Sequence, residues 1–186
     1  MWWIGLIIGV VVILAIVIAI VKCYNNLVAG REKVKNGWSQ IDVHLRRRFD
    51  LIPNLVETVK GYAAHEKETL ENVTMWRSRV SSAQTTEESI DANAGLSGAL
   101  GRLLVTMEKY PELKANENFL KLQSELTEIE NKIAFARQFY NDTVQKYNLA
   151  VKSFPSNIIA GMFKFKEEKF FEVDNAIRES VPQVKF

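Results

Sequence analysis

The chain has 186 residues, with 24 lysines and arginines against 22 aspartates and glutamates and a formal net charge of +2. That length suffices for one domain with a real core plus accessories, but not for two sizeable globular domains. The near balance of charge gives no global pull toward nucleic acid, and the single cysteine, Cys23, excludes an intrachain disulfide framework.

The first accessory is residues 1–21. Met1 to Val21 carries no charged side chain, and as a helix it would rise roughly 31 Å, the thickness of a bilayer's hydrocarbon. A cleaved signal peptide would need a basic n-region before the apolar run and a small-x-small site after it, and neither is present. The predicted element is therefore a retained transmembrane helix. Lys22, Arg31, Lys33 and Lys35 follow the span and only Met1, Trp2 and Trp3 precede its core, so the positive-inside rule predicts a single pass of the cytoplasmic (inner) membrane, N-terminus outside and the bulk cytoplasmic. Gly5 and Gly9 form a small-xxx-small pair suited to close helix packing, although glycine is common in such spans anyway. Cys23 reads either as an ordinary interfacial residue or as a juxtamembrane thiol open to lipidation.

Residues 22–155 have helical apolar periodicity, beginning with Val34, Trp38, Ile41 and Leu45. In "DVHLRRRFDLIPNLV", residues 42–56, Arg46, Arg47 and Arg48 suit the last turn of a helix, Asp42 supports Arg46 at i, i+4, and Asp50 is a preferred cap for a new helix with Pro53 in its first turn. The expectation is a joint there, a reversal in preference to a kink; phosphate or an acidic partner on the three arginines is the alternative. A second run passes through Ile52, Leu55, Val56, Val59, Leu70, Val73 and Val80 and ends in a polar stretch, residues 81–95, with loop composition. A shorter helix carries Leu96 to Met107 and stops at Tyr110 and Pro111. The last runs from an Asn116 cap to Pro155, its stripe passing from Phe119 through Tyr140 and Tyr147 to Phe154. Single apolar stripes are best buried as an antiparallel bundle of four long helices, so the fold class is all-α.

Little in these helices suggests chemistry. Neither His44 nor His65 has an acid three residues earlier, and two histidines and one cysteine cannot build a conventional zinc site without carboxylates. Glu125, Glu128 and Glu130 read as a solvated helix face. Gln40, Asp42, Asn54, Asn131 and Arg137 are candidates for a buried network that sets packing register. No catalytic residue, cofactor site or metal site is expected, and no nucleic-acid partner. The tail, residues 156–186, is partly extended: Phe163, Lys164, Phe165, Lys166, Phe170 and Phe171 alternate apolar and basic character. They form either a strap filling a groove on the bundle or a membrane or self-association contact.

From "YNNLVAGREKVKNGWSQIDVHLRRRFDLIPNLVETVKGYAAHEKETLENV" and "YPELKANENFLKLQSELTEIENKIAFARQFYNDTVQKYNLAVKSFPSNIIAGMFKFKEEKFFEV", with "WSQIDVHLRRRFDLIPNLVETVKGYAAHE" the most specific part, the chain resembles the LemA family of bacterial membrane proteins. The resemblance covers nearly everything after Val21. It implies an N-terminal anchor, a cytoplasmic antiparallel bundle and no catalytic residues to carry over. Relatives in magnetosome membranes favour a role in organising or shaping membrane. The expected function is a non-enzymatic, membrane-anchored scaffold with the lipid bilayer and a second copy of itself as partners; the alternative is an adaptor for a membrane protease or signalling complex.

Overall fold

The computed structural model describes residues 2–171 and contains no strand among them. The helices are α1 (Trp2–Lys60), α2 (Lys67–Ser82), α3 (Thr86–Met107), α4 (Pro111–Lys114), α5 (Glu117–Lys152) and α6 (Ser156–Met162). The described residues are all-α, as the apolar periodicity requires, but the apolar segment and the helix expected after it form the single helix α1, and two boundaries differ from expectation. Residues 172–186 of the tail lie outside the described residues.

The first difference is at Pro53. No joint forms at Asp50: α1 continues through Pro53 to Lys60. A proline in a helix interior removes one N–H, so the carbonyl four residues earlier loses its partner. That carbonyl belongs to Phe49, and Arg77 of α2 supplies the substitute: its Nε donates to Phe49 O at 3.4 Å while its guanidinium stacks 4.0 Å from the centroid of the Phe49 ring. The break comes instead at Gly61–Glu66, after an apolar stripe that has a gap between Val59 and Leu70. There Ala63 is fully buried, Tyr110 donates through its hydroxyl to Glu66 at 2.9 Å, and Asn116 donates to the Tyr62 hydroxyl at 2.9 Å.

The second difference is the polar stretch 81–95, most of which is helix. Thr85 caps α3 in a reciprocal capping box: Glu88 N–H donates to Thr85 Oγ1 at 3.1 Å, and Glu88 Oε2 accepts from the Thr85 N–H at 3.4 Å. Glu87 and Glu88 in the first turn suit its positive end. The connection shrinks to Ala83–Thr85. At the far end Asn116 caps α5 as expected, accepting from Phe119 N–H at 3.0 Å.

The chain divides into two compact units. One comprises Ile41–Ala136. Its core joins Ile52, Leu55 and Val59 of α1 to Leu70 and Val73 of α2, Leu96, Leu100 and Leu103 of α3, and Phe119 and Leu126 of α5, all buried. Each such side chain withdrawn from water contributes about 1.5–3 kcal/mol. Here α2 and α3 lie so close that a Cβ added to Gly95 would fall 2.4 Å from the Trp76 ring.

The other unit comprises the chain up to Gln40 and Arg137–Phe170. Residues 2–21 of α1 are exposed on every face. Beyond them α1 and α5 run antiparallel, with glycines on one meeting tyrosines on the other. A Cβ at Gly37 would lie 3.4 Å from the Tyr140 backbone, and one at Gly30 would lie 3.1 Å from Tyr147 Cδ2. The paired residues are seven apart on both helices, so both rings seat on the same face of α1. Trp38 closes the Tyr140 seat edge-on, 5.9 Å between centroids.

Exchanging Gly95 for alanine should therefore destabilise the protein by about 1–3 kcal/mol through overpacking, although helix propensity alone would favour alanine by about 1 kcal/mol. Gly98→Ala, with nothing within 4 Å of the added methyl, should show that gain undiminished. Thermal unfolding of the two variants in detergent checks the contrast.

Candidate functional site

Among the three consecutive arginines the structure separates three roles. Arg46 is exposed and pairs with Asp42 at 2.9 Å, the i, i+4 pair expected, and Arg47 is exposed. Arg48 is 1% exposed. Its Nη1 donates to Glu130 Oε1 at 2.7 Å and to the Ser97 hydroxyl; its Nη2 donates to Asn93 Oδ1 at 2.7 Å and to Asn93 O at 3.2 Å. One guanidinium thus ties α1 to α3 and α5. A three-arginine phosphate surface is excluded, because Arg48 faces inward and Arg46 is already paired.

This is the buried polar network of the first unit described, and its members differ from those expected. Gln40, Asn54 and Asn131 are exposed, while Asp42 and Arg137 are half-buried. Glu130 is not part of a purely solvated face, although Glu128 is, paired with Lys132. The signal available was Asn93, a polar residue between the apolar positions of a helix that sequence composition had assigned to a loop. His44 is half-buried and held below the ordinary imidazole range by burial first, then by Arg47 and Lys132; His65 is exposed. Among the described residues no three histidine, cysteine, aspartate or glutamate groups converge on a metal-sized site.

In the other unit, the candidate residues of the tail divide in the same way. Helix α6 ends in a Schellman motif: Phe165 N–H reaches Ala160 O at 2.9 Å and Lys164 N–H reaches Gly161 O at 3.3 Å, with Lys164 at φ 58°. A lysine in that conformation costs about 1 kcal/mol relative to glycine. The turn directs Phe165 inward, where it is 8% exposed beneath the Arg31 guanidinium, 5.0 Å from its ring centroid. Phe171, which groups with Ile41–Ala136, is likewise buried. These two cannot form an outward contact. Phe163 and Phe170 stay partly exposed and Lys164 and Lys166 are exposed; the Phe163 ring rests 4.7 Å from that of Tyr24.

After Phe165 the strap is held by its backbone. The Asn148 side chain makes two bonds to residue 168, donating to Glu168 O at 2.8 Å and accepting from Glu168 N–H at 2.9 Å. Tyr140 donates to Lys169 O at 2.9 Å, and Lys152 pairs with Glu167 at 2.7 Å. Burial, with Glu168 adding to it, pushes the Tyr140 hydroxyl up to about 12. Tyr147 is raised by the same causes in the same order. Gly5 and Gly9 have open space around them, and Cys23 is half-buried.

Two outcomes follow from these contacts. Arg48→Ala should lower unfolding free energy by about 3 kcal/mol, because it leaves buried acceptors unpaired, and Glu130→Ala should cost about 3 kcal/mol as well, because it strands a buried guanidinium without its counter-charge. A loss below about 1 kcal/mol for either variant on denaturant titration would contradict this assignment. The folded chain keeps Tyr140 protonated to higher pH than an unfolded chain does, so its contribution is whole below about pH 10 and is lost as pH rises through about 12. Tyr140→Phe should flatten that loss of stability, and tyrosinate absorbance reports the ionisation.

The chain is similar to known proteins over most of its length. The chain is 25% identical to Magnetosome protein MamQ 2 of Paramagnetospirillum magneticum over 90% of its own length and 71% of that protein's. It is 25% identical to Protein LemA of Metamycoplasma hominis over 84% and 72% of the respective chains. The Magnetosome protein MamQ of Magnetospirillum gryphiswaldense is 24% identical over 88% and 70%. The sequence model of the LemA family matches residues 37–186, which takes in Arg48, both tyrosine seats' rings and the strap, and the chain belongs to the LemA family.

Proposed function

We propose that this protein is a non-enzymatic scaffold, anchored by residues 2–21 in the cytoplasmic membrane with its remaining helices on the cytoplasmic side, where it self-associates and organises or shapes the bilayer. The observation that carries the reading is α1 itself. It is long and apolar enough at its N-terminal end to cross a membrane, none of that stretch is buried within the chain, and the same helix runs on without a break. Its apolar surface needs a nonpolar solvent, and lipid supplies one.

Self-association has two supports. Gly5 and Gly9 lie on an apolar helix with room for a close neighbour. Phe135 and Phe139, one turn apart on α5, are 75% and 52% exposed and offer a lateral apolar contact. The relatives called magnetosome proteins bring the idea of work on a membrane compartment, and membership of the LemA family supports association with membrane.

Crosslinking of the full-length protein in native membranes should give dimers and larger species, reduced severalfold in Phe135→Ser/Phe139→Ser. A monomer alone would overturn self-association. A heterologous partner captured without any self-crosslink would favour the adaptor reading instead. Digestion of the helical bulk by protease added outside intact cells would overturn the orientation.

A further inference from the structure

The surface around the α5–α6 corner is apolar where a soluble protein's corner would be polar. Phe154 in the turn is 80% exposed, Ile158 and Met162, one turn apart on α6, are 54% and 70% exposed, and Phe163 is 53% exposed. The opposite side of α6 is spent on the interior, through buried Ile159 and Ala160. So the outward row is not the core face of a misplaced helix; it is a second, separate apolar face.

Two independent contacts fix the height of that face along α1. Tyr140 and Tyr147 seat at Gly37 and Gly30, so each step forward along α5 is a step back along α1, and continuing it brings Phe154 level with Cys23. From the other side, the Phe163 ring touches the Tyr24 ring at 4.7 Å. Tyr24 stands three residues, about 4.5 Å, beyond Val21, where the uncharged segment ends. The headgroup layer on each side of the hydrocarbon is about 5–7 Å thick. Lys22, two residues before Tyr24, and Lys164 and Lys166, just after Phe163, are all exposed, and lysines at this level along a helix can reach lipid phosphates. The nearby Glu167 is answered by Lys152.

We infer that the α5–α6 corner is a membrane-interface contact: Phe154, Ile158, Met162 and Phe163 are inserted at the headgroup level of the same bilayer that α1 crosses. The occupant of this apolar face is lipid, because the face is continuous with the lipid-facing surface of α1 and is held beside it by the Tyr24–Phe163 contact. The inference rests on the anchored reading above, yet does not depend on which side of the membrane the helices occupy. It also gives the strap a purpose, since Asn148 and Tyr140 hold the chain that leaves α6.

The test uses the full-length protein with Cys23→Ser, reconstituted in phosphatidylcholine–phosphatidylglycerol vesicles, carrying one environment-sensitive fluorophore on Ile158→Cys, Met162→Cys, Ile13→Cys or Gln138→Cys. Gln138 is fourteen residues before the end of α5, about 21 Å along the helix. Lipids with a spin-label quencher near the headgroup should reduce the signal at residues 158 and 162 about twofold and leave 138 unchanged. A deep quencher should act on residue 13. Quenching at 13 but not at 158 and 162 would overturn the interfacial contact and leave the anchor standing. Labels at 158 and 162 that are shielded from water yet unquenched would hand this face to a second copy of the chain and likewise overturn it. No quenching at 13 would remove the anchor and this inference together.

Discussion

Two tyrosine rings lying on two glycines set the geometry of the unit that holds the N-terminal part of α1. A ring comes closest to a helix backbone where no Cβ intervenes: one added at Gly30 would crowd Tyr147 at 3.1 Å, and one added at Gly37, a heptad away, would just touch Tyr140 at 3.4 Å. Because Tyr140 and Tyr147 have the same spacing, a slip of one heptad would leave one ring seated and drive the other onto a side chain. The register of α5 against α1 is therefore defined, and with it the distance from Tyr147 to the end of α5. Asn148, next in sequence, faces the strap and bonds the backbone on both sides of Glu168. Phe165 falls under Arg31 as a consequence.

The other unit is specified by charge as well as by shape. A guanidinium that is 1% exposed carries a desolvation penalty that only well-placed acceptors can offset. Arg48 has four contacts, to Ser97, Asn93 and Glu130, and loses them if α3 or α5 shifts by one turn. Such a network discriminates between registers more strongly than it adds stability. Arg77 plays a complementary part at Phe49. It accepts the consequence of Pro53 and leaves the helix continuous, so a residue that ordinarily ends helices is accommodated by a neighbouring helix.

Continuity of α1 matters for work at a membrane. No loop or glycine-rich linker separates the apolar residues 2–21 from the seats at Gly30 and Gly37, so a helix standing in the bilayer holds the start of α5's partner surface at a set height. The α6 corner is fixed to the same helix by a ring contact. An anchor with a flexible tether would leave such a corner free to sample solution. Here its apolar row stays next to the span.

Composition and period alone determined the apolar segment 2–21, the all-α class, the α5 stripe with its Asn116 cap, the stop at Pro111 and the Asp42–Arg46 pair, because each depends on residues within a turn or two of one another. The capping box of Thr85 and Glu88 was equally local, though outweighed by the polar composition around it. Tertiary structure decided the rest. The fate of Pro53 depends on Arg77, 28 residues away in α1–α2 pairing; the role of Arg48 depends on partners 45 to 82 residues distant. Whether Phe163 or Phe165 faces outward depends on the turn after α6 and the position of Arg31. Local propensity cannot rank such alternatives, since the free energy that selects among them arises only when distant segments meet and exclude water.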